Sequence, residues 1–383
     1  MSNRQVYILG TARTPIGSFN GALAAIPATR LGSIALKAAI ERSGVAPSDI
    51  EEVFMGNVLS ANLGQAPANQ ASIYAGIPTS VPCTTVNKVC ASGMKAVMFG
   101  AQNIRLGENA IVAAGGMESM SNVPYYLDKA RTGYRMGNGQ VIDGMLKDGL
   151  WDPYKDYAMG MAGELCSTKY GFTREMQDAY AVQSYERAAA AYAKEYFAGE
   201  IVAVGDVRED EEFKKVKFEK IPTLKPAFTK DGVITAANAS KINDGAAAII
   251  LASEEAAKGA KPLARIVSYA DASQDPEWFT TTPTIAMNRA LQKAGLAISD
   301  IDYFEINEAF SCVAMANARD LGIPEERLNV WGGAVALGHP IGCSGARIVI
   351  TLLSILQQTG GRYGLAGICN GGGGASAMLI ERL

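Results

Sequence analysis

The sequence predicts an α/β fold made of two similar halves, with a long insertion in the first. Three observations carry this. Apolar runs of strand length alternate with helical periodicity over the first 119 residues and again from Ala246 onward. Between about 119 and 243 the alternation stops, and the chain turns Gly- and Tyr-rich, then helical, then charged. Short segments also recur in order. Gly44–Ile50 is matched 251 residues later by Gly295–Ile301, and Ser92-Gly93-Met94-Lys95 is matched 252 residues later by Ser344-Gly345-Ala346-Arg347. Gly115-Gly116-Met117-Glu118-Ser119 is echoed more loosely by Gly373-Gly374-Ala375-Ser376. The spacing is far too long for a solenoid period and implies two α/β halves about a pseudo-twofold axis. The expected boundaries are 1–118 for the first half, completed by about 244–266, then 119–243 for the insertion and 267–383 for the second half.

In chain order, Gln5–Leu9 reads as a first strand, closed by the turn-rich Arg13–Gly17. Leu31, Ile34, Ala35, Ala38 and Ala39 give Thr29–Ser43 a helical stripe that ends at Gly44. A capped turn at Ser48-Asp49 leads into a strand around Val53–Met55, and Thr84-Thr85-Val86 is again β-prone. Met94, Val97, Met98, Ala101 and Ile104 then mark a helix that stops at Gly107. Cys90 falls where that helix begins. The free N–H groups and dipole there favour a thiolate, so a lowered pKa and a nucleophilic role are predicted. An inert, buried cysteine is the other reading of the same position. Ala110–Ala114, Ala246–Leu251 and Leu263–Tyr269 read as strands, and Arg174–Phe197 as a helix.

Composition narrows the function classes. A chain of 383 residues, 48% hydrophobic and 19% charged, is an ordinary globular protein. A net charge of −3 without an arginine-rich run argues against nucleic acid or a membrane surface as partner. Apolar runs are expected to fall short of a membrane span, and the segment at Val6–Leu9 is too short for a signal peptide. Six scattered cysteines without a C-x-x-C pair point to a reducing, cytoplasmic compartment. The one histidine, His339, argues against a Cys/His zinc site and excludes any mechanism that needs two histidines.

Three further segments concentrate chemistry. Asn307-Glu308-Ala309-Phe310 follows an apolar strand. Gly338-His339-Pro340-Ile341-Gly342 surrounds the histidine with glycine, and Cys369-Asn370-Gly371-Gly372-Gly373-Gly374 ends another strand. Taken singly, Asn307 also reads as a strand-end hydrogen-bonding residue, His339 as a packed loop histidine and Cys369 as a small hydrophobe. Together with Asn87-Lys88-Val89-Cys90-Ala91-Ser92-Gly93, the set resembles the thiolase family nearly end to end. Gly232–Ser240 and Asn243-Asp244-Gly245 extend the similarity, most closely to its acetyl-CoA acetyltransferase branch.

The resemblance implies a thiolase-like layered αβαβα core with an inserted loop domain covering the CoA site. It implies that two acetyl-CoA condense reversibly to acetoacetyl-CoA and CoA. In that reading Cys90 carries the acetyl group, Cys369 is the acid/base, His339 and Asn307 hold one oxyanion, and the N–H groups of Cys90 and Gly371 hold another. It also places Leu150, Met159, Lys215, Lys220, Phe228, Ala236 and Ser240 along the CoA path. Tyr185, Ala236, Ala237, Ala239 and Val335 would form a potassium site that activates without being required. A homotetramer, as a dimer of dimers, is the implied assembly. Three positions depart from the family pattern. Ala158 stands where many relatives have histidine, and Thr280 follows Phe279 where proline is usual. Trp331 precedes Gly332-Gly333, where it either narrows the acyl pocket or packs in the core. A β-ketoacyl synthase would lack the second cysteine in its glycine run, and a nucleotide-dependent oxidoreductase would need a Gly-x-Gly-x-x-Gly turn that is missing here.

Overall fold

A computed structural model describes residues 4–383. The first half supplies β1 (Val6–Arg13), β2 (Gly17–Ser18), α1 (Ala28–Ser43), β3 (Glu52–Gly56), α2 (Pro67–Tyr74), β4 (Cys83–Val86), α3 (Ser92–Leu106) and β5 (Ile111–Ser119). Two small hairpins open the insertion: β6 (Tyr125–Tyr126) with β7 (Ile142–Asp143), and β8 (Trp151–Asp152) with β9 (Tyr157–Ala158). The helices α4 (Gly160–Tyr170) and α5 (Arg174–Ala193) follow, and β10 (Asn243–Ser253) returns the chain to the core. The second half is β11 (Ala264–Ser273), α6 (Thr282–Ala294), β12 (Tyr303–Ile306), α7 (Ser311–Leu321), α8 (Ala334–Leu337), α9 (Ile341–Thr359), β13 (Tyr363–Asn370) and β14 (Gly374–Arg382).

The strands run in the order β12-β13-β14-β11-β1-β10-β5-β3-β4, with β2 on β10. Within it, β3-β5-β10-β1 and β12-β13-β14-β11 share one pattern, a parallel pair followed by antiparallel neighbours. The halves meet where β1 and β11 pair antiparallel, over Tyr7–Arg265 and Ile8–Ala264. The boundary expected at 266/267 therefore cuts through β11, which pairs with β14 along its whole length and goes with the second half. Three apolar clusters define the layers. α1 and α2 bury Leu31, Leu36 and Ala71 against the strands of the first half, while α6 and α7 bury Met287, Leu291 and Ala314 against those of the second. Between the two halves of the sheet, α3 and α9 pack Met94, Val97, Ile348 and Leu352 into one core, which gives the αβαβα stack.

The repeat has physical content. Gly44 and Gly295 both end their helices in the left-handed region (φ 71° and 68°), each followed by a short 3₁₀ turn and a strand. The two Ser-Gly pairs mark the crossing of α3 and α9. A Cβ on Gly93 would lie 2.9 Å from the Ala346 nitrogen, and one on Gly345 only 2.5 Å from that of Met94. The looser third echo does not hold. Gly115 and Gly116 lie within β5, whereas Gly373 belongs to the turn between β13 and β14.

Most expected elements are present, with longer strands. The first strand extends to Arg13 because its far end pairs with β10, and Gly115–Ser119 continues β5. The helix α4 lies where none was expected. α9, at 19 residues and mean hydropathy 1.3, is long and apolar enough to cross a membrane, contrary to expectation. Its place explains the composition: 83% of its 18-residue apolar window is buried inside the protein. The insertion is anchored by the fully buried Arg13, which bonds Glu200 at 2.6 Å and Asp210 at 2.8 and 3.0 Å.

Candidate active site

The turn from β4 into α3 is held under strain. Val89 has φ 47°, a left-handed angle that costs a β-branched residue of order 1–3 kcal/mol. Ser92 fixes the turn by donating to the Val89 carbonyl (2.6 Å) and accepting from the Lys88 N–H (2.8 Å). The Lys88 ammonium is pinned to Asp271, Ser376 and the Ala375 carbonyl at 2.7–3.0 Å. The outcome is a half-buried Cys90 whose sulfur is faced by the N–H groups of Gly371 and of Cys90 itself.

Its titration differs from the sequence expectation. Burial pushes the Cys90 thiol up to about 12, and the two N–H groups recover only part of that. The desolvation of a thiolate here outweighs the helix-start effect. Cys369, at the end of β13, is fully buried. Burial and then the nearby Cys90 sulfur push its thiol well above the ordinary range. The glycine turn that follows brings Gly371 against Cys90. Gly372 and Gly373 both have φ 81°, and a Cβ on Gly373 would meet the Gln274 carbonyl at 2.1 Å.

His339 is held from three sides. Its backbone N–H donates to Asn243 Oδ1 at 2.9 Å, and its Nδ1 lies 2.6 Å from Ser344 Oγ. Its Nε2 lies 3.4 Å from Asn307 Nδ2. Ser344 donates to the Pro340 carbonyl (3.0 Å), so it accepts from Nδ1–H, which leaves the Nε2 lone pair toward Asn307. Burial lowers the His339 pKa to about 3, and the imidazole is neutral. An Asn307 contact of 3.4 Å is too long for a strong bond, so both side chains can serve a shared oxygen. Gly338 (φ 113°) lets the loop pass Asn243, whose side chain a Cβ would meet at 2.6 Å. Glu118 ties the halves together here. Its carboxylate, raised to about 7 by burial, accepts from the N–H groups of Val58, Leu59 and Gly342 and from Asn57.

Four of the seven residues expected on the CoA path, Leu150, Met159, Phe228 and Ser240, line one cavity of about 260 Å³ with His339. Ala158 lines it too, where a histidine would have projected a ring. Met159 also borders a cleft of about 690 Å³ that reaches Val89, Gly371 and Gly372. Lys215, Lys220 and Ala236 lie instead in an adjoining pocket of about 240 Å³, with Tyr185, Ala237 and Lys241. Trp331 is core: it stacks on Tyr196 (5.1 Å) and meets Phe197 edge-on (5.5 Å). Phe279 and Thr280 are likewise buried, Phe279 in the cluster that holds Cys369.

Two of the five residues expected around potassium, Ala239 and Val335, converge on an ammonium. Lys241 Nζ donates to the Ala239 carbonyl at 2.6 Å and to that of Val335 at 3.2 Å, while Tyr185 donates to the Ala237 carbonyl at 3.3 Å. The set does not fit a free potassium ion, because a cation of the chain already takes two of its carbonyl oxygens, and the Tyr185 hydroxyl takes a third. Sequence reasoning passed over Lys241, Asn243, Glu118 and Ser344. The last three lay inside segments already singled out by the repeat and by the family resemblance.

The comparisons agree along the chain. The thiolase N-terminal domain matches residues 6–255 and the thiolase C-terminal domain residues 260–382. Acetyl-CoA acetyltransferase 1 of Arabidopsis thaliana is 57% identical, covering 99% of this chain and 94% of its own length. A cytosolic acetyl-CoA acetyltransferase of Gibberella zeae is 52% identical over 99% and 98%. The crystal structure of the Acat5 thiolase of Ascaris suum in complex with coenzyme A superposes with a TM-score of 0.96, at 48% identity over 99% of this chain and 100% of that one. With both domain models matched and the layered core in place, the chain belongs to the thiolase family.

Proposed function

We propose that the chain is an acetyl-CoA C-acetyltransferase, joining two acetyl-CoA into acetoacetyl-CoA and CoA and running the thiolysis in reverse. The observation that carries the reading is the meeting of two cysteines, Cys90 and Cys369, beside the Gly371 N–H. The names of the relatives supply the acyl group.

The protonation states support a definite order of steps. Cys90 starts as a thiol and passes its proton to the neutral His339 Nε2 as its sulfur attacks the thioester carbon. The N–H groups of Cys90 and Gly371 receive the oxyanion. Departing CoA thiolate takes the Cys369 proton. Because that thiol has so high a pKa, the thiolate left behind is a strong base. It removes a methyl proton from the second acetyl-CoA, while His339, now cationic, and Asn307 hold the enolate oxygen. The enolate carbon attacks the acetyl group on Cys90, whose sulfur leaves and recovers its proton from His339. Leu150, Met159, Phe228 and Ser240 form the wall for the pantetheine arm. Lys215 and Lys220 line the adjoining pocket, where their cations suit the CoA phosphates. The steps require no cofactor.

Exposed Leu127, Met136, Val141, Leu146, Trp151 and Tyr154 are concentrated in one stretch of the insertion and support a homotetramer, a dimer of dimers. The unpaired cysteines and the printed name of the Gibberella relative support a cytoplasmic place in lipid metabolism. Adding CoA to the acetoacetyl-CoA–magnesium complex should discharge its absorbance, and no loss of signal would overturn the reading. Light scattering should give a tetramer of the 40.3 kDa chain, and a clean monomer would contradict the assembly.

A further inference from the structure

Lys241 has no role in the steps above, yet it lines both the His339 cavity and the pocket that adjoins it. Its half-buried side chain puts Nζ on two backbone carbonyls from different segments, Ala239 at 2.6 Å and Val335 at 3.2 Å. The Tyr185 ring lies 5.5 Å away. Burial lowers the Lys241 pKa to about 8, and the negative charges of Glu212 and Glu308 offset only part of that, so the ammonium is retained at neutral pH. Ala239 precedes Ser240 in the wall of the His339 cavity, and Val335 lies in α8, which leads directly to Gly338 and His339.

We propose that the Lys241 ammonium is a tethered counterpart of a monovalent cation, clamping the Ala239–Ser240 loop to α8 and so positioning His339 and the CoA wall. Carbonyl oxygens converging from two segments repel one another unless a cation lies between them. An ammonium satisfies that need with directed N–H bonds and cannot dissociate. The protein is therefore built to be indifferent to potassium. Lys241 is a positioning residue and touches no reacting atom.

Exchanging KCl for NaCl at constant ionic strength should leave the wild-type melting temperature and thiolysis rate unchanged. In Lys241→Ala, measured in NaCl, the rate should fall ~10–100-fold from misplaced groups, with a raised KM for CoA. Potassium should restore both rate and melting temperature, and lithium should not. A potassium-selective rise of ~3 °C or more in the wild type would overturn the proposal, since it would show an open cation site. An impaired Lys241→Ala that potassium fails to rescue would overturn it too, reducing Lys241 to packing. If the alanine variant does not fold, Lys241→Gln keeps a donor without the charge. A fully active Gln variant in NaCl would contradict the need for a cation.

Discussion

The two halves present the same turn to the active site and use it differently. In each, a serine at the start of the central helix bonds back to the turn before it: Ser92 to Val89, Ser344 to Pro340. Each is followed by the glycine that lets α3 and α9 cross. In the first half the reactive residue is Cys90, two before the serine. The corresponding position in the second half is Gly342, and the chemistry sits three residues earlier, at His339. The first turn holds its strain in Val89 and leaves Cys90 half-buried, while the second uses Gly338 and buries its imidazole. One duplicated scaffold thus supplies a covalent carrier on one side and a proton-holding, oxyanion-binding group on the other.

Breaking the first half should cost most. Cys90→Ser should lower turnover by about 10⁴-fold or more, because a hydroxyl here has no base matched to its pKa. Steady-state thiolysis rates check this, and turnover within tenfold of wild type would remove Cys90 as carrier. Breaking the second half should cost less. Asn307→Ala should lose about 10²–10³-fold in kcat, the usual effect of one oxyanion donor, and His339→Asn at least as much, since it also removes the group that takes the Cys90 proton. The double variant should lose less than the product of the two, since they serve one oxygen.

Titration sharpens the contrast further. With the Cys90 thiol raised to about 12, its reaction with iodoacetamide should climb roughly tenfold per pH unit from neutral pH upward. A plateau near neutrality would mean that the helix start had won over burial. A separate effect is on stability, and it grows only as the pH falls. The folded His339 pKa, about 3, lies below its ordinary 6.5, so the unfolded state takes up the proton first. Stability is therefore lost as pH falls below 6.5, by up to about 1.4 kcal/mol per unit down to about pH 3. Urea unfolding of wild type against His339→Gln should show the wild type losing ground by that slope. Parallel curves would exclude a neutral buried imidazole.

The duplication, the four motifs and the layered fold were legible in the residues because each left a local mark: a recurring Ser-Gly, a lone histidine, a glycine run after a strand. What stayed hidden depended on distance across the chain. The charge state of Cys90 follows from burial by segments far away, which no helix-start argument contains. Lys241 reads in sequence as an ordinary surface lysine. Only the approach of α8 turns it into a clamp. The third repeat misled because glycines in a strand and glycines in a hairpin turn look alike until the register is known.

The central claim is that the first half carries the acyl group and the second does not. Mixing the protein with acetyl-CoA, quenching in acid and mapping peptides by mass should find one acetyl group on the Cys90 peptide and none on that of Cys369. Acetyl on Cys369, or on neither cysteine while turnover proceeds, would contradict it.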